Sequence, residues 1–215
     1  MYVNGLTSFP LADVGAYICM MQTDFEILKK IVTGRRTVKA ASMNGKIIPD
    51  EQVKELLALA NYAPTHGRTE PWRFFVYTGE ALKSFGQQHG ELYVAHTPEE
   101  RQNPDTPGKL ASATEMPSHL VVAVMKRGMN PKIPAIEEIA SASAAVQNIL
   151  LGAEALGISV IWNTGGMTHS DAMRAHLDLS DEDIILGLLY MGYTDEAKKE
   201  GKRNTSIEEK TIWGR

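Results

Sequence analysis

An α+β domain is predicted over residues 23–215, preceded by an N-terminal extension at 1–22. Three observations predict it. Four short runs rich in β-branched and aromatic residues alternate with helix-period segments, which calls for a sheet covered by helices. No internal repeat and no interior linker divides the chain, so one core is expected. The layers are α/β or α+β, with α+β favoured; the GxGxxG fingerprint and the Walker-type phosphate loop are both missing, so neither standard glycine-rich phosphate cradle is available and any nucleotide must be held another way.

With 215 residues, 43% hydrophobic and 22% charged, the chain has ordinary globular usage. Its formal net charge of -4 gives no global positive field for nucleic acid or an anionic membrane. A small anionic cofactor needs only a few local cations and is not excluded. Cys19 is the only cysteine, which rules out an internal disulfide and thiolate-built zinc or iron–sulfur sites. That usage fits the reducing cytoplasm. The opening MYVNGLTSFPLADVGAYICM lacks the basic start and continuous apolar core of a secretory signal.

The extension carries Gly5, Pro10 and Gly15 without a sustained period, and reads as a tail or as residues ahead of a natural start at Met20 or Met21. A helix begins at Thr23 or Asp24, with Phe25, Leu28, Ile31 and Val32 on one stripe and Gly34 as its stop. Pro49 and Asp50 open a second, striped by Val53, Leu56, Leu57 and Ala60. RFFVYT, residues 73–78, is the first strand, followed by Gly79 and a helix to about His89. The three prolines of HTPEERQNPDTPG, residues 96–108, predict an irregular surface loop or lid. HLVVAVMK, residues 119–126, is a strand buried on both faces. A long helix over 134–157, rich in Ala and Ser, permits close helix approach, and its Glu and Gln residues exclude a membrane span. ISVIWN is the third strand, Ser170 caps a short helix, and DIILGLLYMGY is the fourth strand. The charged tail ends near Trp213, an apolar residue that needs a burying surface beyond its own arm.

Three clusters could carry chemistry. Arg35, Arg36, Thr37 and Lys39 place three cations and a hydroxyl in five residues, which suits a phosphate, although cations at a helix C-terminus also simply complement its dipole. APTHGRTEPWRFF, residues 63–75, gathers His66, Arg68, Thr69 and Glu70 in a loop between helix and strand; a plain turn with Trp72 in the core would look the same. WNTGGMTHS, residues 162–170, ends a buried strand in Trp162, Asn163 and Thr164 before Gly165 and Gly166, and glycines let backbone N–H groups approach a planar ring. Turn geometry explains that cluster equally well.

The ordered set GRRT-x-K, A-P-x-H-x-x-x-x-P-W-x-F, W-N-T-G-G and K-R-N-x-S-I-E-E-K-x-x-W resembles the FMN-dependent nitroreductase family, in its small members, over residues 24–213. The resemblance implies a three-layer fold with a central antiparallel sheet, and a homodimer that exchanges C-terminal arms and shares two FMN sites. It implies that Arg35, Arg36 and Thr37 hold the phosphate and ribityl chain, with Lys39 near the pyrimidine edge. Tyr62 and His66 would reach the cofactor across the interface. Trp162, Asn163 and Thr164 would line the isoalloxazine, with a backbone N–H near Thr164 or Gly165 directed at N5, and Arg203, helped by Lys202, would close on the phosphate. Ping-pong hydride transfer from NADH or NADPH to a nitroaromatic, quinone or similar oxidant follows, with no side-chain nucleophile. Reductive dehalogenation, flavin breakdown and FMN carriage without turnover are the rival outcomes. One departure stands out: T-H-G-R-T-E replaces the polar S-x-N-x-Q segment of well-known members, and Glu70 replaces its amide.

Overall fold

A computed structural model describes the backbone of residues 11–214 and the side chains of 23–214. The chain divides into two units, Met1–Arg35 and Arg36–Arg215. The first contains helix α1, Leu11–Gly34, whose Phe25, Leu28 and Val32 are exposed. It stops at Gly34 as predicted, but starts twelve residues before Thr23. Leu11, Ala12, Ala16, Met20, Met21 and Gln22 are good helix formers, and one internal glycine costs only about 1 kcal/mol, so Gly15 does not end the helix. Of the extension expected at 1–22, residues 11–22 are helical and residues 1–10 lie outside the described residues.

In the second unit four strands form an antiparallel sheet, as the resemblance implied, and their order is β1-β2-β4-β3. They are β1 Trp72–Thr78, β2 His119–Met125, β3 Ser159–Asn163 and β4 Ile184–Gly192. Alternation along β2 sends Val121, Ala123 and Met125 to one face and Leu120, Val122 and Val124 to the other. Helices α2, Asp50–Ala60, and α5, Ala135–Ala155, cover the first face through Val53, Leu56, Ala145 and Ile149. Helices α3, Gly79–His96, and α6, Asp171–His176, cover the second through Leu82, Phe85 and Met173. Three layers result. The small residues of α5 allow the predicted close approach: a Cβ at Gly152 would stand 2.7 Å from side-chain carbons of both Leu56 and Leu59.

Residues 96–108 are not an irregular loop. The third helix continues past His89 to His96, Glu99–Arg101 makes a 3-10 turn, and Thr106–Ser112 forms helix α4. Pro107 sits in its first turn, where a missing N–H costs nothing, so that proline marks a start and not a breaker. Gly86 and Gly90 of α3 make room for this segment; a Cβ at Gly90 would meet the Pro107 carbonyl oxygen at 2.9 Å.

Candidate functional site

Strand β3 lies at one edge of the sheet, and two of the three clusters flank it. Thr37 bridges Val160 in parallel, with Val38 N–H donating to the Val160 carbonyl at 3.4 Å. Two bonds tie this segment to the start of the tail: Asn44 N–H donates to Tyr193 O at 2.8 Å, and the Thr194 hydroxyl to Ser42 O at 2.6 Å. Arg36 Nε donates to Lys199 O at 2.8 Å, and a Cβ at Gly201 would stand 2.5 Å from its guanidinium. Between these segments opens a cleft of about 380 Å³, where Arg36, Lys39, Lys198 and Lys199 face two carboxylates, Glu154 and Glu196. Thr37, Ser42 and Ser159 add hydroxyls. Glu154 pairs with Lys198. Cations in excess beside several hydroxyls suit a phosphate.

At the far end of β3, Trp162 is held by a defect in the neighbouring strand. The register between β2 and β4 shifts beyond Ala123, leaving Leu186 as an extra residue, and the β4 side chains that follow swap faces. Leu186 O accepts the indole N–H of Trp162 at 2.8 Å. The indole lies over Gly187, where a Cβ would be 2.3 Å from Nε1. Trp162 as a whole residue stays 36% exposed. Asn163 Oδ1 takes the Gly165 N–H at 2.8 Å, and Thr168 Oγ1 donates to Gly165 O at 2.6 Å. The Gly165 N–H is therefore committed, while that of Thr164 has no partner among the described residues. Below the turn, Met167 N–H donates to His89 Nε2 at 2.8 Å.

The third cluster lies at the same end of the sheet but at the opposite edge, since its loop feeds β1. Three strand spacings of ~4.8 Å put the two edges about 14 Å apart. His66 Nδ1 bonds Glu137 Oε2 at 2.5 Å. Tyr62 is 85% exposed. Gly67, Arg68 and Glu70 all have positive φ, of 57°, 55° and 44°; a Cβ at Gly67 would meet Ile133 at 2.8 Å. Two non-glycine residues in the left-handed region of one short loop are costly, and such strain gathers at ligand clamps. Trp72, which anchors the loop, is buried and donates to Asn61 Oδ1 at 3.0 Å.

A sequence profile described as the nitroreductase family matches residues 32–193. The chain belongs to the nitroreductase family. YdjA of Escherichia coli K12, whose name places it among NAD(P)H nitroreductases, is 30% identical over 142 residues, covering 66% of this chain and 75% of its own. A nitroreductase-like family protein from Bacillus cereus superposes with TM-score 0.75 at 26% identity, over 86% of this chain and 95% of that one. The FMN-dependent nitroreductase NfnB of Mycobacterium smegmatis, solved in complex with NADPH, shares the fold with TM-score 0.67 at 17% identity, over 88% and 99%. The family placement makes this chain an oxidoreductase. Among the described residues no cluster of His, Cys, Asp and Glu could hold a metal, and no helix is long and apolar enough to cross a membrane.

Within this nitroreductase, Arg36, Thr37 and Lys39 line the cleft, and Trp162, Asn163, Thr164 and Gly165 form the turn on the same strand. Tyr62 and His66 stand at the other edge. Arg35 belongs to the first unit, where its N–H donates to Ile31 O at 3.1 Å behind α1. Arg203 lies further along the exposed tail, its guanidinium donating to Lys202 O at 2.9 Å, and does not line the cleft. Lys198 and Lys199 do, and sequence reading passed over them as part of a charged tail. Their signal was the pair of lysines just after the last strand. His89 gave none.

Proposed function

We propose that this nitroreductase binds FMN and passes electrons from NADH or NADPH to a small oxidant such as a nitroaromatic or quinone, in ping-pong fashion, as a homodimer. The observation that carries the reading is one edge strand with a cation-rich cleft at its start and an aromatic, glycine-flanked turn with an uncommitted N–H at its end. Val160 to Thr164 spans about 13 Å of extended chain, a length that suits a mononucleotide flavin. FMN supplies the redox chemistry when bound, accepting hydride from a nicotinamide and returning electrons to the oxidant.

The chain's own residues bind and orient. Arg36, Lys198 and Lys199 neutralise the phosphate, with the Thr37 hydroxyl as a further donor. Lys39 supplies positive charge for the anionic reduced ring. Trp162 and the 164–167 turn define where the ring lies. Tyr62, His66 and the strained 66–70 loop, at the opposite edge, complete a site only if a second copy brings them. The tail's exposed Ile207, Ile212 and Trp213 support the same pairing.

The test is the absorbance spectrum of the purified protein before and after anaerobic NADH and NADPH. A flavin spectrum bleached by a nicotinamide and restored by an oxidant is expected. Colourless protein that cannot be reconstituted with FMN overturns the reading, and a yellow protein that neither nicotinamide bleaches points to carriage instead.

A further inference from the structure

His89 lies in the middle of α3 and is 1% exposed, beside Phe85 and the second hydrophobic core. Burying an imidazole there carries a desolvation cost that a leucine would not. Only one of its two ring nitrogens is satisfied. Nε2 accepts the Met167 N–H at 2.8 Å, while Nδ1, which must carry the proton in that tautomer, has no partner. An unsatisfied buried donor in a native core calls for an explanation, and packing does not supply one.

The explanation lies in what the ring touches. Gly166 adopts φ 64°, and a Cβ there would stand 2.6 Å from His89 Nε2, so the ring edge fits directly under the glycine backbone. Without an acceptor at Nε2 the Met167 N–H would be stranded, and the turn would have to rotate to find another. Burial, with the neighbouring His176 adding to it, lowers the His89 pKa to about 4, so the ring stays a neutral acceptor at working pH.

We propose that His89 is a positioning residue for electron transfer: by accepting the Met167 N–H it fixes the Thr164–Met167 backbone, and with it the hydrogen bond this turn offers the flavin. The inference rests on the FMN reading above. His89 touches neither cofactor nor substrate in this account; it acts through the turn. A turn that cannot rotate keeps one hydrogen-bond geometry as the ring gains electrons, and so sets the potential at which it does.

The test compares His89→Leu, His89→Gln and His89→Asn in the FMN-loaded full chain. Glutamine's amide oxygen reaches the Nε2 position, whereas asparagine's stops one atom short. In His89→Leu the Met167 amide should exchange with solvent at least tenfold faster by NMR, an effect readable without flavin. The two-electron reduction equilibrium should move about tenfold, some 30 mV in midpoint potential. Reduction by the nicotinamide should slow while its KM changes little, and His89→Gln should restore all three readouts. Should the leucine variant fail to fold, His89→Asn against His89→Gln decides: the first shifted and the second near wild type is expected. Wild-type potential and Met167 exchange in both His89→Leu and His89→Asn, even with a lowered melting temperature, would reduce His89 to a core residue and overturn the proposal. A wild type that binds no FMN overturns the functional reading together with this inference; a wild type that is bleached beside unaltered variants overturns this inference alone.

Discussion

At the scale of single residues, contacts between distant positions decide the site. Gly187 has two reasons to be glycine: its φ of 154°, and Trp162, 25 residues earlier, whose indole occupies the space of a Cβ. Gly187→Ala should push the indole off Leu186 O and cost about 1–3 kcal/mol, as overpacking does. A lowered denaturation midpoint with altered tryptophan emission would confirm it, and unchanged emission would not. The double glycine at 165–166 and Trp162 itself were legible in sequence because their types are local signals. Gly187 and His89 were not, because periodicity carries no information about what lies across a sheet. A second buried relay runs through Ser118 and His119. Ile48 N–H donates to Ser118 Oγ at 2.8 Å, Ser118 Oγ bonds His119 Nδ1 at 2.8 Å, and His119 Nε2 bonds Asp50 Oδ1 at 3.0 Å. The order imitates a hydrolase triad, but Ser118 and His119 are each 1% exposed and no substrate can reach them. The relay pins the start of α2 to β2. Ser118→Ala should therefore cost about 1–3 kcal/mol by stranding the Ile48 N–H, with flavin reduction by the nicotinamide unchanged in the folded fraction. Urea melts paired with stopped-flow reduction check both halves.

At the scale of elements, α3 shows where sequence reading failed and why. Pro98, Pro104 and Pro107 suggested a loop, yet each falls outside a helix interior, and Gly86 and Gly90 are contact points for the segment those prolines begin. Strands were legible because β2 and β4 are buried on both faces and so form unbroken apolar runs. The bulge at Leu186 was not, since it changes the face of later residues without changing composition. Packing α3 against α6 also sets a pH response. The folded pKa of His89, about 4, lies below its ordinary value of 6.5, so the unfolded chain binds more protons between those limits. Stability from this group is whole above pH 6.5 and falls as pH drops toward 4, by roughly 3 kcal/mol in total. Asp183 acts at lower pH. Burial alone would raise its pKa, but N–H groups of Arg127 and Ser180 and the Lys126 ammonium outweigh that and hold it below the usual carboxylate range. Denaturant midpoints from pH 7 to 4 should therefore decline in the wild type and flatten over this window in His89→Gln; parallel curves would show that another group titrates.

At the scale of the whole molecule, the two halves of the proposed site point to a partner. The order β1-β2-β4-β3 keeps the His66 loop and the Trp162 turn at the same end of the sheet but on opposite edges. No rotation of side chains closes about 14 Å. Past Tyr193 and Thr194, which bond the segment before α2, the chain contributes Lys198 and Lys199 to the cleft and then runs on exposed to Ile212 and Trp213, at 98% and 79%. The proposed homodimer would give those side chains a surface. Ending the chain after Thr194 should then do two things together. It removes two of the four cleft cations and it removes the apolar arm. FMN retention and dimerisation should fall in step, because FMN held by residues of both copies stabilises the pair by linkage. Removing only residues 206–215 separates the terms: the cleft lysines stay, so flavin is lost only to the extent that the dimer is. Light scattering and flavin content, read on the same samples of all three proteins, check this. A full-length monomer that holds FMN tightly, or a truncation after Thr194 that stays dimeric and yellow, would show that each chain builds its site alone.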